Sequence, residues 1–517
     1  MEPESDAPLL ALIRRGGRTE WRFGGLPHAI SGSRVGRWPI LMRNDADVGR
    51  HVVAARDLAT GDLLYSEDPF VQTVEDALLT AVCHQCYAPI ISADGTAQRS
   101  HGCDVCGQVI YCCTACQRAG ARAHAAECGV LHTLAARGVS LKALRGLRLF
   151  IRLAHRAHDE PDAFKDVEAL HEHYTIGTPE RRTFFDGVAS QINKLVPPPV
   201  RLEPVRLAKL VSRVHTNLFA VSDCAGIQYG SALYAKAGTI LNHSCQPSAA
   251  VSFKGASLRV HAVRPIRAGE EVAISYTELY AGRDERRSSM QTKKGFMCAC
   301  ARCEQPPAAD AELDGWRCLA GCERGIVPPG GGQCLACGAS HALDAARRAG
   351  IEERWRQATH EGLQGLQGHL GQPSPAAAEG ALRTAEQILS QTAGRLCEDH
   401  VARHRARRMR VLALQSFSES RAAELAAALE GCLDGMRRHL PRAHPEVAFY
   451  EHWLAKTRLR QAARHDADGA SDAAHEARRS ARELASAAAA GLAVSYGNDH
   501  PTVAKWRALA ASAAASS

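Results

Sequence analysis

Nineteen cysteines, most of them closely spaced, are the residues of this 517-residue chain best suited to chemistry. The first group lies between residues 83 and 128, where cysteines two or three residues apart recur and a histidine precedes the last one. Eight side chains in this segment could bind two tetrahedral zinc ions: Cys83, Cys86, Cys103, Cys106, Cys112, Cys116, His124 and Cys128. Because the segment is rich in glycine, alanine and arginine, we expect metal rather than an apolar core to stabilise it.

A second cysteine group lies in the sequence CACARC. Cys298, Cys300 and Cys303 supply three thiolates, which leave one position of a tetrahedral zinc site open. Cys245, in the sequence NHSC, is a candidate for that position, although spacing alone does not join it to the other three.

A last group flanks the loop sequence GIVPPGGG, with one pair of cysteines on each side. The pairs Cys318/Cys322 and Cys334/Cys337 predict a zinc-ribbon-like knuckle. Four cysteines lie outside these groups and are interpreted as buried or surface thiols without ligands: Cys113, Cys224, Cys397 and Cys432.

Between the first two groups, the stretch LNHSCQPSAA gathers an amide, an imidazole, a hydroxyl and a thiol between two apolar runs. It is either a tight polar turn or a place where several of these groups bind ligands. Further on, the sequence GEEVAISYTE contains Tyr276, which is either packed in the core or catalytic.

Short strands and helices must position these groups. Alternating apolar residues and a Thr-Gly turn predict short β-strands over Val48–Val74. Residues 140–215 are predicted to be mostly helical. Beyond residue 350 the composition shifts to alanine, leucine and arginine, and helices are predicted at residues 375–396, 400–417, 420–439, 446–465, 470–490 and 500–514. His444 and His500 each precede a proline, which suits a helix start.

The first cysteine segment resembles a MYND zinc finger. The pieces NHSCQP, GEEVAISYTE and GFMCACARC, in this order, resemble the C-terminal half of a SET domain with its post-SET cysteines, and Val48–Val74 resembles the N-terminal part. A SET domain interrupted by a MYND finger is typical of the SET and MYND domain-containing (SMYD-type) protein-lysine methyltransferases. The resemblance covers roughly residues 40–305 and extends more weakly to the C-terminus.

The resemblance implies how the ligands are shared. In MYND fingers the ligand pairs interleave, so one zinc would be bound by Cys83, Cys86, Cys112 and Cys116. The other would be bound by Cys103, Cys106, His124 and Cys128. In SET domains the cysteine of NHSC completes the post-SET zinc site, which groups Cys245 with Cys298, Cys300 and Cys303. Three zinc sites are therefore expected, with the Cys318–Cys337 group as a candidate for a fourth.

The resemblance also implies a cofactor, S-adenosylmethionine, and residue roles. Tyr276 matches the catalytic tyrosine of the family, and Phe219 matches a wall of the channel for the acceptor lysine. The residues that match cofactor contacts are Gly49, Arg50, Asn217, Thr239, Asn242, His243 and Phe296. Three positions depart from the family pattern: His51 replaces the second glycine of G-x-G, Ser248 replaces an asparagine, and Lys294 replaces a second active-site tyrosine.

The predicted fold is α+β and multidomain: a β-rich SET core interrupted by a MYND finger, a post-SET zinc site and an all-α, TPR-like C-terminal domain. The expected segments are an N-terminal extension without a recognised fold (1–37), the N-terminal part of the SET domain (38–82), the MYND finger (83–128), a helical insert (129–215), the SET catalytic core (216–280), the post-SET and zinc-ribbon-like region (281–345) and the helical domain (346–517).

Composition agrees with a soluble protein, with 45% hydrophobic and 23% charged residues. A formal net charge of +8 over this length is mild, so nucleic acid is not expected as the main partner. The sequence contains no apolar run long enough for a transmembrane helix, and its first residues do not resemble a secretory signal. Cysteine usage favours a reducing compartment, so we expect the cytoplasm, the nucleus or both.

Two functions follow from these observations. The first is S-adenosylmethionine-dependent methyl transfer to the ε-amino group of lysine in a protein substrate. The alternative is a catalytically inactive adaptor that binds peptides or proteins through the zinc finger and the helical domain. Tyr276, Asn217 and an intact NHSC motif favour the enzyme, whereas Lys294 and His51 favour the adaptor.

Overall fold

The structure, a computed structural model, describes residues 33–34, 37–45, 49–90, 100–138, 146–175, 177–304, 308–323, 325–329, 331–341, 345–366 and 374–515. The predicted N-terminal extension lies almost entirely outside these ranges. The predicted fold class is confirmed: small antiparallel sheets and cysteine clusters precede an all-helical C-terminal region.

The N-terminal part of the chain forms short strands, as its alternating apolar residues predict. Strands β1 (Ser33–Arg34), β2 (Ile40–Asp45) and β3 (Gly49–Ala54) form one antiparallel sheet. Strands β4 (Leu63–Glu67) and β5 (Val71–Val74) begin two other sheets and bury most of their side chains. The turn before β4 passes through Thr60 and Gly61, and the φ of +89° at Gly61 favours glycine.

The finger follows β5 and contains little regular structure. Strands β6 (His101–Gly102) and β7 (Ile110–Tyr111) pair, and helix α1 (Thr114–Ala136) follows them. The core of the finger is small: a few apolar residues, including Val109 and Leu131, pack against the cysteines. Such a core is too small to stabilise the segment by itself, which agrees with the expected zinc sites.

Four helices form the insert that follows the finger: α2 (Leu147–Asp159), α3 (Pro161–Glu168), α4 (Pro179–Leu195) and α5 (Pro204–Asn217). Three of them begin with proline, whose missing N–H costs nothing at the first helical position. Their buried faces form one apolar core that also includes Val71 and Leu233 of the SET sheets. The residues 139–145 and 176 of the predicted helical segment lie outside the described part.

The chain then returns to the sheets that it left before the finger. Strands β8 (Phe219–Ser222) and β9 (Gln228–Leu233) pair, and β9 also pairs with β5. Strands β10 (Ala249–Lys254) and β11 (Ser257–Ala262) form a hairpin, and β11 also pairs with β4. The finger and the helical insert are therefore insertions between strands of one β-rich core.

Short elements follow the SET core and contain the remaining cysteine groups. They are α6 (Arg283–Lys294), α7 (Ala301–Glu304), α8 (Ala308–Asp314), β12 (Trp316–Arg317), β13 (Ile326–Val327), β14 (Gly332–Gln333) and β15 (Ser340–His341). Strands β12 and β13 form one pair, and β14 and β15 form another.

The C-terminal region is helical, as predicted. Its helices are α9 (Ala345–Leu366), α10 (Pro375–Thr392), α11 (Val401–Gln415), α12 (Ala422–His439), α13 (Pro445–Ala467), α14 (Ser471–Tyr496) and α15 (Pro501–Ala515). Six of these were predicted, most of their ends lying within two or three residues of the observed ones, whereas α9 was not. Consecutive helices pack against each other, and α14 also packs against β10 and β11.

Histidine side chains cap the N-termini of three of these helices. Nδ1 of His400, His444 and His500 accepts the backbone N–H two residues further on. The prediction that His444 and His500 suit helix starts therefore holds, and His400 performs the same role without a following proline. No helix of the described residues is both long enough and apolar enough to cross a membrane.

One buried carboxylate connects the finger to the insert and the SET core. Glu127, on α1, is fully buried and accepts hydrogen bonds from Arg148 at 2.7 Å and Arg152 at 2.6 Å, both on α2. Arg152 also donates to the carbonyl of Gln72 in β5 at 2.6 Å. Burial raises the pKa of the Glu127 carboxyl, but Arg152 and Arg148 outweigh this effect and hold the pKa well below its usual range.

Removing this charge should therefore loosen the finger and the insert together. We expect Glu127→Gln to lower the free energy of local opening by about 3–5 kcal/mol, because two buried guanidinium groups lose their counter-charge. Amide hydrogen exchange of α1 and α2 measures this change. The matched control is Glu168→Gln, which removes a half-exposed partner of Arg206 and should cost about 1 kcal/mol or less. Equal effects of the two variants would contradict the role of Glu127.

Candidate functional site

The structure brings the eight finger ligands together in two sets of four. The ligand atoms lie within 4.8 Å of one another in the set Cys83, Cys86, Cys112 and Cys116, and likewise in the set Cys103, Cys106, His124 and Cys128. The Sγ–Sγ distances of 3.6 Å for Cys86–Cys112 and 3.7 Å for Cys103–Cys128 are close to the roughly 3.8 Å that a zinc tetrahedron with Zn–S bonds of about 2.3 Å requires. Both sets fit zinc, and their pairs interleave as the resemblance implied.

The second set has a support beyond its ligands. Nδ1 of His124 lies 3.4 Å from Oε1 of Glu127, while its Nε2 lies 3.5 Å from Sγ of Cys106. A carboxylate on the far nitrogen fixes the ring so that Nε2 faces the metal position. The same carboxylate thus orients a ligand and connects the finger to α2.

The third set joins two distant segments. Sγ of Cys245 lies 3.5 Å from Sγ of Cys303, and these two atoms lie within 4.8 Å of the thiols of Cys298 and Cys300. The backbone N–H of Cys245 also donates to Sγ of Cys300 at 3.4 Å. This geometry fits a zinc ion bound by four thiolates.

Buried charges surround this third set. Asp310, on α8, accepts hydrogen bonds from Arg286 at 2.9 Å and from Arg302 at 2.6 Å, and all three side chains are buried. Arg302 also donates to the carbonyl oxygens of Cys245 and Leu279. The ion-pair cluster therefore fixes the segment that bears the thiols.

Backbone hydrogen bonds position the NHSC loop. The N–H of Ile274 donates to the carbonyl of Asn242, and the N–H of Ser244 donates to the carbonyl of Ile274. Ser248, which replaces the usual asparagine, is buried, accepts from the N–H of Ala273 and donates to the carbonyl of Glu271. Its hydroxyl therefore bonds the same neighbouring segment, so the departure leaves the loop anchored.

Tyr276 lies between the NHSC loop and the post-SET segment. Its N–H donates to Nδ1 of His243 at 3.0 Å, and its hydroxyl donates to the carbonyl of Leu241. Burial raises the pKa of the Tyr276 phenol, with Glu271 adding to the effect, so the hydroxyl stays protonated at neutral pH. The ring of His243 lies 5.4 Å from the ring of Tyr276 and 6.4 Å from that of Phe296.

The side chain of Lys294, which replaces the second active-site tyrosine of the family, has a defined position. Its Nζ donates to the carbonyl of Thr216 at 2.6 Å and lies 5.3 Å from the ring centroid of Tyr276. Burial lowers the pKa of this amine, and the neighbouring Lys293 lowers it further. A partly desolvated cation therefore stands beside the predicted catalytic tyrosine.

Two predicted cofactor residues converge on the loop after α3. Arg50 donates to the carbonyl of Ala169 at 2.9 Å, and Nδ2 of Asn217 donates to the carbonyl of His171 at 2.8 Å. Gly49, just before Arg50, has φ of +68°, a conformation that favours glycine. His51 departs from G-x-G without strain, because it lies within β3 and bonds the carbonyl of Gly49 through Nδ1.

The remaining predicted residues surround the same region. Nδ2 of Asn242 donates to Oε1 of Glu271 at 2.9 Å, and Phe219 and Tyr276 pack against the same apolar core. Thr239 ends a short 3-10 turn and donates to the carbonyl of Lys236. Phe296 is about two-fifths exposed, with 39% of its surface accessible, which leaves its ring free for a ligand.

Sequence reasoning missed three residues of this region. His171 and His173 follow α3, and their rings lie 4.8 Å apart. His173 is buried against Gly295, where an added Cβ would lie 2.9 Å from its ring, and burial lowers its pKa to about 4. Glu271 pairs by its backbone with Val53 of β3 and bonds Asn242. The two histidines in LHEH were the only signal, and no spacing rule connected them to the site.

Tyr280, the next tyrosine after Tyr276, faces away from the NHSC loop and toward the helical domain. It is buried against the helical domain, where its hydroxyl donates to the carbonyl of Asp399 at 3.0 Å and its ring stacks on His404 at 3.7 Å. Its contacts therefore fix the helical domain to the SET core.

The last cysteine group differs from the prediction. Cys318, Cys334 and Cys337 place their thiols within 4.8 Å of one another, and Cys322 is not a member of that set. Nε2 of His341 lies 3.1 Å from Sγ of Cys318 but is likewise not a member of that set.

The comparisons with known proteins agree with this arrangement. A model of the SET domain family matches residues 49–277. Histone-lysine N-methyltransferase SMYD3 of Mus musculus is 27% identical over 276 residues, 52% of this chain and 62% of the relative. N-lysine methyltransferase SMYD2-B of Xenopus laevis is 25% identical over 272 residues, 52% of this chain and 61% of the relative. These matches thus span about three fifths of the relatives' own length.

A solved structure, the SET domain of LSMT bound to lysine and AdoHcy, covers 79% of this chain and 81% of its own, at 10% identity and a TM-score of 0.30. The match to the SET family, the relatives and the thiol clusters together define a SET-domain protein with an inserted zinc finger. The chain is similar to the SET and MYND domain-containing (SMYD-type) lysine methyltransferases.

If Cys245 completes the post-SET zinc site, Cys245→Ser should release one zinc ion per chain, because a neutral hydroxyl is a poor substitute for a thiolate. Inductively coupled plasma mass spectrometry of the purified full chain counts the metal. Cys397→Ser is the control, since Cys397 is buried but belongs to none of the clusters of the described residues. An unchanged zinc count in Cys245→Ser would exclude this ligand set.

Proposed function

We propose that this protein transfers a methyl group from S-adenosylmethionine to the ε-amino group of a lysine in a protein substrate. The observation that carries the proposal is the position of Tyr276, between the NHSC loop and the post-SET segment, with a hydroxyl that burial keeps protonated. The named activities of the relatives support the same class of reaction.

S-adenosylmethionine would supply a methyl on a sulfonium, and transfer to a neutral amine forms an N–C bond while the S–C bond breaks and the amine proton leaves to solvent. The chain must bind and orient both reactants. Asn242, His243 and Phe296 would contact the adenosine part, and Arg50 and Asn217 the methionine part. Orientation of two reactants in one site can contribute about 7–11 kcal/mol in good cases.

The acceptor lysine would enter beside Phe219 and Tyr276. The phenol of Tyr276 is a hydrogen-bond partner that can orient the amine, and the apolar walls disfavour its charged form. We infer that Lys294 contributes as well, because a cation near the acceptor lowers the pKa of the acceptor amine. The substrate is proposed to be a protein present in the cytoplasm or the nucleus.

The adaptor function is the second candidate, and the observation that favours it is the cation at Lys294. If this charge repelled both the sulfonium and the acceptor amine, the SET core would bind neither of them. The finger and the helical domain would then be the binding surfaces for peptides or proteins.

Cofactor binding separates the two functions without knowledge of the substrate. We expect the zinc-loaded chain to bind S-adenosylmethionine in isothermal titration calorimetry with a Kd of about micromolar. Asn242→Ala should weaken binding at least tenfold, because it removes an amide of the NHSC loop. The control Asn193→Ala removes a half-buried amide that bonds Leu202, in the insert. No binding to a folded, zinc-loaded chain would reject the enzyme and favour the adaptor.

The role of Lys294 can be tested by the pH dependence of methyl transfer. A cation about 6 Å from the acceptor lowers the pKa of its amine by about one to two units at an effective dielectric constant near 20. Lys294→Met removes that charge, so the pH of half-maximal rate should shift upward by about the same amount. Lys293→Met is the matched control, because Lys293 is exposed next to it. A rate increase in Lys294→Met without a shift would mean that the charge only hinders catalysis.

A further inference from the structure

The module from Gly315 to His341, here called the knuckle module, lies outside the residues that match the SET family model. Its regular structure consists of two pairs of two-residue strands, β12 with β13 and β14 with β15. Within the described residues, its buried apolar core contains one valine, Val327, and the remaining members are the thiols of Cys318 and Cys334, with Cys322 packed against them. So small a core does not stabilise a fold.

The side chains of this core are metal ligands. The Sγ atoms of Cys318 and Cys337 lie 3.8 Å apart, which equals the separation of two thiolates on one zinc and is far longer than a disulfide bond of about 2.05 Å. The thiol of Cys334 completes a set of three within 4.8 Å. Three thiolates and an imidazole or a fourth thiolate are the ligands that select zinc.

Two further donors lie next to this set. Nε2 of His341 lies 3.1 Å from Sγ of Cys318. The side chain of Cys322 packs against the buried cluster of Cys318, Val327 and Cys334. The thiols of Cys334 and Cys322 both lie next to Gly325, because a Cβ added there would lie 2.8 Å from Sγ of Cys334 and 3.0 Å from Sγ of Cys322.

The backbone is also arranged as in a metal-binding knuckle. The N–H of Ala320 donates to Sγ of Cys318 at 3.4 Å, and the N–H of Gly338 closes a turn on the carbonyl of Cys334 at 2.9 Å. Gly321 and Gly338 have φ of +78° and +70°, so both turns need the conformation that glycine adopts readily. Amide donors directed at sulfur stabilise thiolate rather than thiol.

We propose that the knuckle module binds one zinc ion through Cys318, Cys334 and Cys337, and that Cys322 and His341 share the fourth position. Five donors then surround a four-coordinate ion, and the loss of either Cys322 or His341 leaves a complete tetrahedron. The sequence predicted a four-cysteine site, whereas His341 comes close only through the pairing of β15 with β14.

The contacts of the module indicate what this zinc would stabilise. The N–H of Arg317 donates to the carbonyl of Arg395 at 2.8 Å, and the N–H of Cys397 donates to the carbonyl of Gly315 at 3.2 Å. Trp316 donates to Glu352 of α9 at 2.7 Å and stacks under the guanidinium of Arg348 at 4.4 Å. The zinc would therefore hold the surface against which the helical domain packs.

Metal counting on the full chain tests the proposal. We expect the double variant Cys318→Ser, Cys334→Ser to contain one zinc ion fewer than the unsubstituted chain, because only three donors remain. Cys322→Ser and His341→Ala should each contain the same number as the unsubstituted chain. The double variant Cys322→Ser, His341→Ala should again contain one fewer. Cys432→Ser, which removes a buried thiol outside every cluster of the described residues, should leave the count unchanged.

Each result bears on the proposal. An unchanged count in Cys318→Ser, Cys334→Ser would reject the site, and loss of zinc in Cys322→Ser alone or in His341→Ala alone would reject the shared position. Retention of the other zinc ions shows that the variants fold. Hydrogen exchange adds a second measurement: loss of this zinc should increase exchange in α9 and around Arg395 at least tenfold, with the finger unchanged. Neither measurement depends on methyl transfer, so the proposed function can fail without affecting this result.

Discussion

The site depends first on the thiolate cluster that joins Cys245 to the post-SET cysteines. NHSC belongs to the SET core, whereas CACARC follows α6, so this cluster joins the two segments that place Phe296 beside His243. The same connection places α6 so that Lys294, at its end, bonds Thr216 at the end of α5. The residues predicted to contact cofactor and acceptor are therefore brought together by a cluster of thiols rather than by a continuous sheet, and their geometry depends on the protonation and oxidation state of four sulfurs.

Two buried carboxylates support the metal clusters in the same manner. Glu127 lies between Arg148 and Arg152 beside the finger, and Asp310 lies between two arginines beside the post-SET thiols. Each acid has two cations, so each cluster keeps a net positive charge next to sulfur ligands that are negative when deprotonated. Such pairs add specificity of position more than net stability, because desolvation cancels much of the attraction. The zinc sites and these ion pairs thus depend on each other.

Much of this architecture could be predicted, because cysteine spacing and helical periodicity are local signals. The groupings of the finger and post-SET ligands and six of the C-terminal helices are examples. Helix α9 was missed because glycines and charged residues obscure its periodicity. The approach of His341 to Cys318, of His173 to Gly295 and of Glu271 to Asn242 could not be predicted, since each requires a pairing or a packing contact between segments distant in the chain.

The contacts of Lys294, which replaces a tyrosine, bear on the proposed methyl transfer. A lysine has a flexible stem, and here Nζ reaches the carbonyl of Thr216, which satisfies one of its donors on the protein. Burial lowers the pKa of the Lys294 amine, which means that its charged form costs free energy that the surrounding site must offset. A charge held by a backbone carbonyl beside Tyr276 acts on any second amine that enters. The positive charge of Lys294 would oppose a bound cation, but it also favours the neutral amine that a methyl transfer requires. The balance between these two effects decides whether the SET core is a catalyst or a scaffold.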